Sequence, residues 1–548
     1  MIGIDSNILI YAHNRASPYY GEAKQLIHTS IEENTLGVSE LSLREFYAVI
    51  TDGWKVEKPV QPTTASVLLQ NYFESEKVTV CKLTREVWRR AFEYTARYHV
   101  ARYDLDDLLI ALTLSLNGLE SFYTRNTKDF KKFDFIEAIN PFESPAPRSP
   151  LPALRFIPYA RQSIDEKDVA SVCSVLRSDW LTTGPNVEEF EQAVADYVGA
   201  KHAVVASSGT AALHLACLAD GMAPGNEGVT SPITFLASAN AMVYCGAAPR
   251  FTDIDLNTYN MSAAELEKCI TKRTRVIIPV HFAGQSCDMK RIRDVVSKKE
   301  RLYGQKIYII EDASHALGSS YKESRVGCCE YSDMTIFSFH PVKHVTTGEG
   351  GMVVTNDKKL ASRIRKLRSH GIIKNSALMS QNPGPWYYEQ DELGFNYRLT
   401  DIQCALGRSQ LKKLSLFKKR RSNIVNEYNS SFRELDHVVT PFESPECQSN
   451  FHLYVVQIEF DSLGISRQIF MESLKDAGIQ TQVHYIPVHL QPFYRSNFGT
   501  KIGDCPVAER YYEKCLSLPL YPGMSAYDVR YVISHVTQEL TWVNRKSA

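Results

Sequence analysis

The chain has 548 residues, 44% hydrophobic and 23% charged, and its 62 basic and 62 acidic side chains cancel. Such a length calls for more than one domain, at roughly 100–200 residues each, and a zero net charge gives no bulk reason to bind a polyanion. No apolar run is long enough to span a membrane. The twelve cysteines show no metal or redox spacing, which predicts thiols in a reducing cytoplasm.

The first element, MIGIDSNILIYA, is a short apolar strand that carries Asp5 at its end. It has no basic leader and reads as a buried strand rather than a signal peptide. LSLREFYAVI follows with helical spacing and contains Glu45. YDLDDLLIALTLSLNG places Asp104, Asp106 and Asp107 ahead of an apolar helix, and FYTRNTKDF ends in Asp129. Carboxylates converging beyond strand ends suit one or two magnesium or manganese ions that activate water for phosphodiester cleavage. Each acid alone fits a helix cap or a solvated charge equally well. Residues 1–140 hold 16 lysines and arginines against 19 aspartates and glutamates, so no basic footprint for RNA stands out.

NPFESPAPRSPLP, with Pro141, Pro145, Pro147, Pro150 and Pro152, marks a semi-rigid linker over 140–155. Beyond it the pattern alternates. HAVVAS (202–207), RVIIPV (275–280) and KIYIIED (306–312) read as buried strands, and GTAALHLACLA (209–219) has helical spacing. Strands alternating with helices predict a parallel sheet covered on both faces. Ligands in such sheets bind beyond the carboxyl ends of the strands, so the residues after each apolar run carry the information.

Four segments after those runs belong together. Ser208, Gly209 and Thr210 open a helix whose free amides suit a phosphate, or simply form an N-cap. Phe235, in TSPITFLASANAM, offers a ring that could stack on a flat cofactor or fill the core. Asp312 ends the strand KIYIIED, where a carboxylate is costly to bury unless it meets a cation. Lys343 stands in SFHPVKHVTTGEGG between an aromatic-rich strand and a glycine-rich turn. Apolar surroundings let such an amine lose its proton near neutral pH. A Schiff-base lysine, a carboxylate for a ring nitrogen, a phosphate cradle and a stacking surface are the four needs of pyridoxal phosphate.

These segments, with LGFNYRLTDIQCALGRSQL and TQVHYIPVHLQPFYR, resemble the DegT/DnrJ/EryC1/StrS sugar-nucleotide aminotransferases from about residue 156 to the end. The resemblance implies the type I aspartate aminotransferase-like fold, with a pyridoxal phosphate-binding large domain over 156–430 and a small domain over 431–548. It gives Lys343 the covalent link to the cofactor, Asp312 the pyridinium nitrogen, and Ser338 with the Gly209–Thr210 amides the phosphate. It implies a homodimer in which Asn396 of NYR reaches the neighbouring subunit's cofactor, with Arg398 nearby. His315 stands where many relatives carry glutamine, and His484 is a candidate sugar or diphosphate contact or a structural histidine. SHALGSSY, SFHPVK, TTGEGG and VHYIPVHLQPFYR together are most similar to the pseudaminic acid branch. That branch implies amino transfer from L-glutamate to C4 of a UDP-4-keto-6-deoxy-N-acetylhexosamine. The UDP-4-keto-arabinose branch shares several of these features.

The acids of residues 1–139 occur in the order of a PIN domain, the RNase fold of VapC-type toxins. That resemblance implies an α/β domain with Asp5, Glu45, Asp107 and Asp129 as metal-site acids and RNA as a partner. Asn126 stands where the family often has an acid, and Asp129 lies three residues later. Two functions from different classes follow: a cytoplasmic transaminase with an appended PIN module, or a metal-dependent ribonuclease whose larger part is regulatory.

Overall fold

A computed structural model of the chain describes residues 2–98, 100, 104–142 and 156–547. Of the linker expected at 140–155, residues 143–155 lie outside the described residues. The chain divides into two compact units, residues 1–156 and 157–548.

The first unit is built on five parallel strands: β1 (Ile2–Ile4), β2 (Leu36–Ser39), β3 (Val78–Cys81), β4 (Ser121–Tyr123) and β5 (Glu137–Ile139). Their order is β3-β2-β1-β4-β5. The chain leaves the central β1 toward β2 on one side and fills the other side only later with β4, so the crevice of this sheet opens at β1 and β4. Gly3 is required there because a Cβ would stand 2.7 Å from the Cβ of Phe122. Apolar residues of the helices Ser6–His13, Glu40–Ile50 and Asp104–Leu116 cover the two faces of the sheet.

The second unit carries a seven-stranded sheet. Its strands are β6 (His202–Ala206), β7 (Glu227–Thr230), β8 (Ala248–Phe251), β9 (Thr274–Ile278) and β10 (Tyr308–Asp312). After a small hairpin, β11 (Ser320–Tyr321) and β12 (Ser324–Arg325), come β13 (Met334–Ser338) and β14 (Gly351–Thr355). The order is β6-β14-β13-β10-β9-β7-β8. One expectation is corrected here: the sheet is mixed, because β14 runs antiparallel to both β13 and β6. The segment 339–350 that joins β13 to β14 contains no helix, and a parallel return needs a crossover of about a dozen residues or more, usually helical. The turn that holds Lys343 is therefore a hairpin-like connection at one end of the sheet. It is closed by Phe339 N–H donating to Gly350 O at 2.8 Å and Thr347 N–H to Phe339 O at 3.0 Å.

Alternate residues of the strands face opposite cores. Val204 and Ala206 pack under the helices Gly209–Ala219 and Lys358–Arg368, whereas Ala203 and Val205 face Pro185–Val198 and Asp401–Leu411. Burial on both faces explains the unbroken apolar run HAVVA. β6 is an edge strand, and its outer groups are occupied by side chains. Val205 N–H donates to Glu191 at 3.0 Å, Arg365 donates to Ala203 O at 2.8 Å, and Arg368 donates to Val205 O at 3.1 Å.

A smaller antiparallel sheet (Val438–Val439, Tyr454–Ile458, Cys515–Leu518) forms the C-terminal part. The start of the unit joins it, since Ile157 N–H donates to Gly478 O at 2.8 Å. The division expected at 430/431 falls inside the helix Leu414–Phe432. Ile424, Val425, Tyr428 and Phe432 of that helix pack in the C-terminal core, so it groups with this part. All twelve cysteines are free thiols. No helix among the described residues is long and apolar enough to cross a membrane.

Candidate active site

A cavity of about 670 Å³ opens beyond the carboxyl ends of β6, β10 and β13. Its lining includes Ser208, Gly209, Thr210, Phe235, Asp312, His315, Ser338, Lys343 and His484, all singled out in the sequence. Strand register explains the convergence. Ser338 pairs with Gly351 and Gly351 with Ala206, so the ends of β13 and β6 lie side by side where the helix Gly209–Ala219 begins.

That helix start forms a narrow cradle. Ser208 is its N-cap, with Oγ accepting from Ala211 N–H at 3.1 Å, so the capping and cradle readings hold together. The first-turn amides have no carbonyl within the helix and can serve an anion. Close packing demands glycine: a Cβ on Gly209 would lie 2.9 Å from Ser338 Cβ, and one on Gly351 would lie 2.2 Å from Ser208 O.

Asp312 is buried, with both oxygens oriented. Ser238 donates to Oδ2 at 2.7 Å, and the Ser314 hydroxyl and amide donate to Oδ1 at 2.6 and 3.1 Å. Ser238 also pairs with Thr234 at 2.7 Å. These supporting hydroxyls were not legible as site residues, since small polar residues near a helix start read equally as caps. Burial pulls the Lys343 ammonium down to about 8 against the opposing pull of Asp312, so the amine is accessible near neutral pH. Phe235 is 61% exposed, so its ring is open to the cavity rather than packed in the core.

His315 lies against the His452 ring, 4.2 Å between centroids, and its Nε2 meets the Tyr485 hydroxyl at 3.3 Å. Burial, then Lys343, His484 and His344, hold His315 well below the usual histidine range, and it is neutral. His484 Nδ1 pairs with Ser517 Oγ at 2.7 Å, and burial followed by Lys343 lowers it to about 3. A neutral, tethered imidazole contributes a hydrogen bond to a ligand but no charge. Tyr159, His452, Gln482 and Tyr485 also line the cavity, and sequence reasoning missed them because the last three arrive from the distant C-terminal part and Tyr159 from the segment at the start of the unit that joins it.

Two predicted residues stand elsewhere. Asn396 is exposed and pairs with Ser369. Arg398 lines a separate cavity of about 440 Å³ with Glu191, Arg365 and Arg368. Within one chain neither residue lines the Lys343 cavity.

In the first unit, Asp5 caps Ser6 N–H at 2.7 Å and accepts from Asn7 at 2.8 Å and Thr124 at 2.7 Å, while Ser6 Oγ donates to Glu45 at 2.8 Å. Burial pushes the Asp5 carboxyl up to about 6, with Glu45 adding to the rise. Burial, then Asp5, Asp129, Asp104 and Glu45, push Asp107 up to about 7. Asp107 therefore senses the other predicted acids. Among the described residues, however, no three His, Cys, Asp or Glu side chains are grouped closely enough to hold a metal ion. Asn126 precedes the short helix Thr127–Phe130, and Asp129 lies in its first turn.

A mixed sheet with an enclosed lysine, an oriented aspartate and an anion cradle at its strand ends defines an aminotransferase-type site. Residues 162–537 match the DegT/DnrJ/EryC1/StrS aminotransferase family. The spore coat polysaccharide biosynthesis protein SpsC of Bacillus subtilis is 43% identical over 382 residues, which cover 70% of this chain and 96% of that protein. UDP-4-amino-4-deoxy-L-arabinose–oxoglutarate aminotransferase of Shewanella sediminis is 35% identical, over 70% of this chain and 98% of its own. Among solved structures, Helicobacter pylori PseC, described as an aminotransferase of pseudoaminic acid biosynthesis, superposes with a TM-score of 0.65 at 32% identity. That match covers 71% of this chain and all of PseC. The putative sugar aminotransferase Spr1654 from Streptococcus pneumoniae, solved in its PLP form, gives a TM-score of 0.65 at 31% identity, over 71% of this chain and 99% of its own. The chain belongs to the DegT/DnrJ/EryC1/StrS family, and it is a sugar aminotransferase.

Proposed function

We propose that the second unit, with pyridoxal phosphate, transfers an amino group from L-glutamate to the C4 ketone of a UDP-4-keto-6-deoxy-N-acetylhexosamine, as in pseudaminic acid biosynthesis. The observation that carries the chemistry is Lys343 and the oriented Asp312 in one cavity with the Gly209–Ser338 cradle. The likeness to PseC favours the hexosamine, and the arabinose enzyme's identity keeps UDP-4-keto-arabinose as the rival substrate.

When bound, the cofactor supplies an electron sink for the carbon that gains or loses the amino group. The Gly209 and Thr210 amides and the Ser338 hydroxyl hold its phosphate. Phe235 covers the ring, and Asp312, locked by Ser238 and Ser314, keeps a proton on the ring nitrogen. Lys343 would carry the covalent link to the cofactor, and its amine, freed when the donor's amine takes its place, would move the proton between the two carbons as a general base and acid. His315, neutral and packed on His452, holds the ring edge, and His484 offers Nε2 to the sugar. The active unit is a cytoplasmic homodimer in which Asn396 and Arg398 serve the neighbouring subunit's cavity, in keeping with their placement away from their own.

Incubation with glutamate and each 4-keto sugar, read by mass spectrometry, tests the substrate. Amination of the arabinose substrate alone would replace the hexosamine assignment.

A second reading concerns the first unit, and the raised carboxyls of Asp5 and Asp107 at its sheet crevice favour it. We propose a PIN-type module in which Asp5, Glu45, Asp107 and Asp129 close on magnesium or manganese and act on RNA. Calorimetric titration with Mn²⁺ should show binding that Asp5→Asn abolishes. Heat of binding unchanged by that substitution would remove the assignment.

A further inference from the structure

Arg421, on the helix Leu414–Phe432, is 1% exposed. Among the described residues no carboxylate pairs with it. Its Nη1 donates to three backbone carbonyls: Leu520 at 2.8 Å, His452 at 3.1 Å and Phe451 at 3.3 Å. Its Nε has no partner. Burial pulls it down to about 9, so it remains a cation at neutral pH. A buried charge without an opposite charge is expensive, and nothing in the C-terminal core requires one.

The carbonyls it binds lie behind the active-site wall. Phe451 has φ +49°, a left-handed conformation that a bulky side chain adopts only when held. The next residue, His452, lines the Lys343 cavity, and its ring lies between His315 at 4.2 Å and His344 at 5.3 Å. His344 follows Lys343 in the chain. Its Nε2–H donates to Asn450 O at 3.0 Å, and its Nδ1 faces the Asn450 amide nitrogen at 3.3 Å, which makes it a neutral ring. The strap 450–452 thus touches the residue after the catalytic lysine at one end and the ring beneath His315 at the other. Arg421 is the only cation bonded to that strap among the described residues.

We propose that Arg421 is a positioning residue for transamination: it holds the strained Phe451–His452 turn and sets an unbalanced positive charge behind the His344 and His452 rings. Burial comes first in keeping His452 and His344 neutral; the titratable and charged groups facing His452 are then His315, Lys343, His344 and Arg421, and those facing His344 are Arg421, Lys343 and Lys418. All the cations among them oppose protonation, and no carboxylate favours it. A charged imidazole at His452 would repel the proton that Lys343 must carry.

The proposal rests on the transaminase reading, and the test separates the two. The holoenzyme is reconstituted with pyridoxal phosphate. The glutamate half-reaction is followed from pH 5 to 9, and histidine-labelled NMR spectra are recorded over the same range. Wild type should show no His452 titration. In Arg421→Met, His452 should move up toward the ordinary histidine range without reaching it, because burial and Lys343 still oppose its charge, and the half-reaction should gain an acid limb at the low end of the pH range. Arg421→Met/His452→Phe should lose the limb, and Arg421→Lys should lack it because the charge is kept. Arg421→Lys should nevertheless turn over about tenfold more slowly, since one ammonium cannot span three carbonyls. A folded Arg421→Met whose NMR and pH profiles match wild type overturns the proposal. Should Arg421→Met fail to fold, Arg421→Lys decides: wild-type turnover overturns the proposal, and slowed turnover with a wild-type pH profile supports it. If the transaminase reading itself is wrong, wild type and every variant fail the half-reaction alike, while the NMR titration still reports on the charge.

Discussion

At the scale of single residues, the site depends on how its two charged groups are held. The Lys343 amine is enclosed, and burial outweighs the attraction of Asp312, so the neutral amine is populated near pH 8. Lys343→Ala should bind pyridoxal phosphate without a covalent link and give no turnover. Borohydride reduction and peptide mapping of wild type should place the cofactor on Lys343, and attachment to another lysine would refute the assignment. Ser238 donates a charge-assisted hydrogen bond to Asp312, a type worth about 1.5–3 kcal/mol. Ser238→Ala should therefore slow the glutamate half-reaction by roughly 10- to 100-fold.

In the first unit the signs run the other way for stability. Asp107 is raised in the folded state, so the fold binds its proton more tightly than the unfolded chain does. Stability from this group is complete below the unfolded value of 3.8 and is lost as pH rises toward about 7. Asp107→Asn should raise the melting temperature of the first unit at pH 7.5 and flatten its dependence between pH 5 and 7.5. The rise amounts to about 3 °C for each kcal/mol of repulsion removed. A wild-type melting profile that climbs from pH 5 to 7.5 would contradict this.

At the scale of elements, two features decide whether the large sheet works as a scaffold. The edge of β6 would expose unpaired backbone groups, and Glu191, Arg365 and Arg368 occupy them instead. Glu191 is buried and bridges both arginines, at 3.2 and 2.8 Å. Glu191→Ala would strand the better buried Arg368 and should cost about 3 kcal/mol in a denaturant titration, with cofactor chemistry intact once folded. The junction of β13 with the helix Gly209–Ala219 is the second feature. Gly209→Ala would drive a methyl against Ser338, so retention of pyridoxal phosphate on dialysis should fall sharply while the sheet stays folded.

At the scale of the whole molecule, the two units have separate sheets and separate cores. A protein beginning at Phe156 should therefore fold and transaminate with unchanged substrate preference. Insolubility or inactivity of that form beside an active full chain would make the first unit a structural part of the enzyme. Asn396 and Arg398 lie outside the cavity of their own chain. Mixed dimers of Asn396→Ala and Lys343→Ala should regain activity, because one of their two sites has both residues intact. No recovery in verified mixed dimers would place each site within a single chain.

What the sequence determined by itself was local chemistry joined to strand ends. Asp312, Lys343 and the Ser208–Thr210 helix start each follow a buried apolar run, and a sheet brings such ends to one edge whatever the remaining packing. The same logic made Asp5 legible beside β1. Only the tertiary structure decided what depended on distant partners. The antiparallel course of β14 is invisible in an apolar run, since GMVVT reads the same in either direction. Ser238 and Ser314 became supports of Asp312 only when β10 brought the carboxylate to them, across 74 residues in the case of Ser238. His452, Tyr485 and Arg421 entered the site's surroundings because the C-terminal core packs against the loop of Lys343, and no local periodicity encodes that contact. A buried arginine bonded only to carbonyls reads in sequence as one more solvated charge, because its environment is set wholly by residues 30 and 99 positions away.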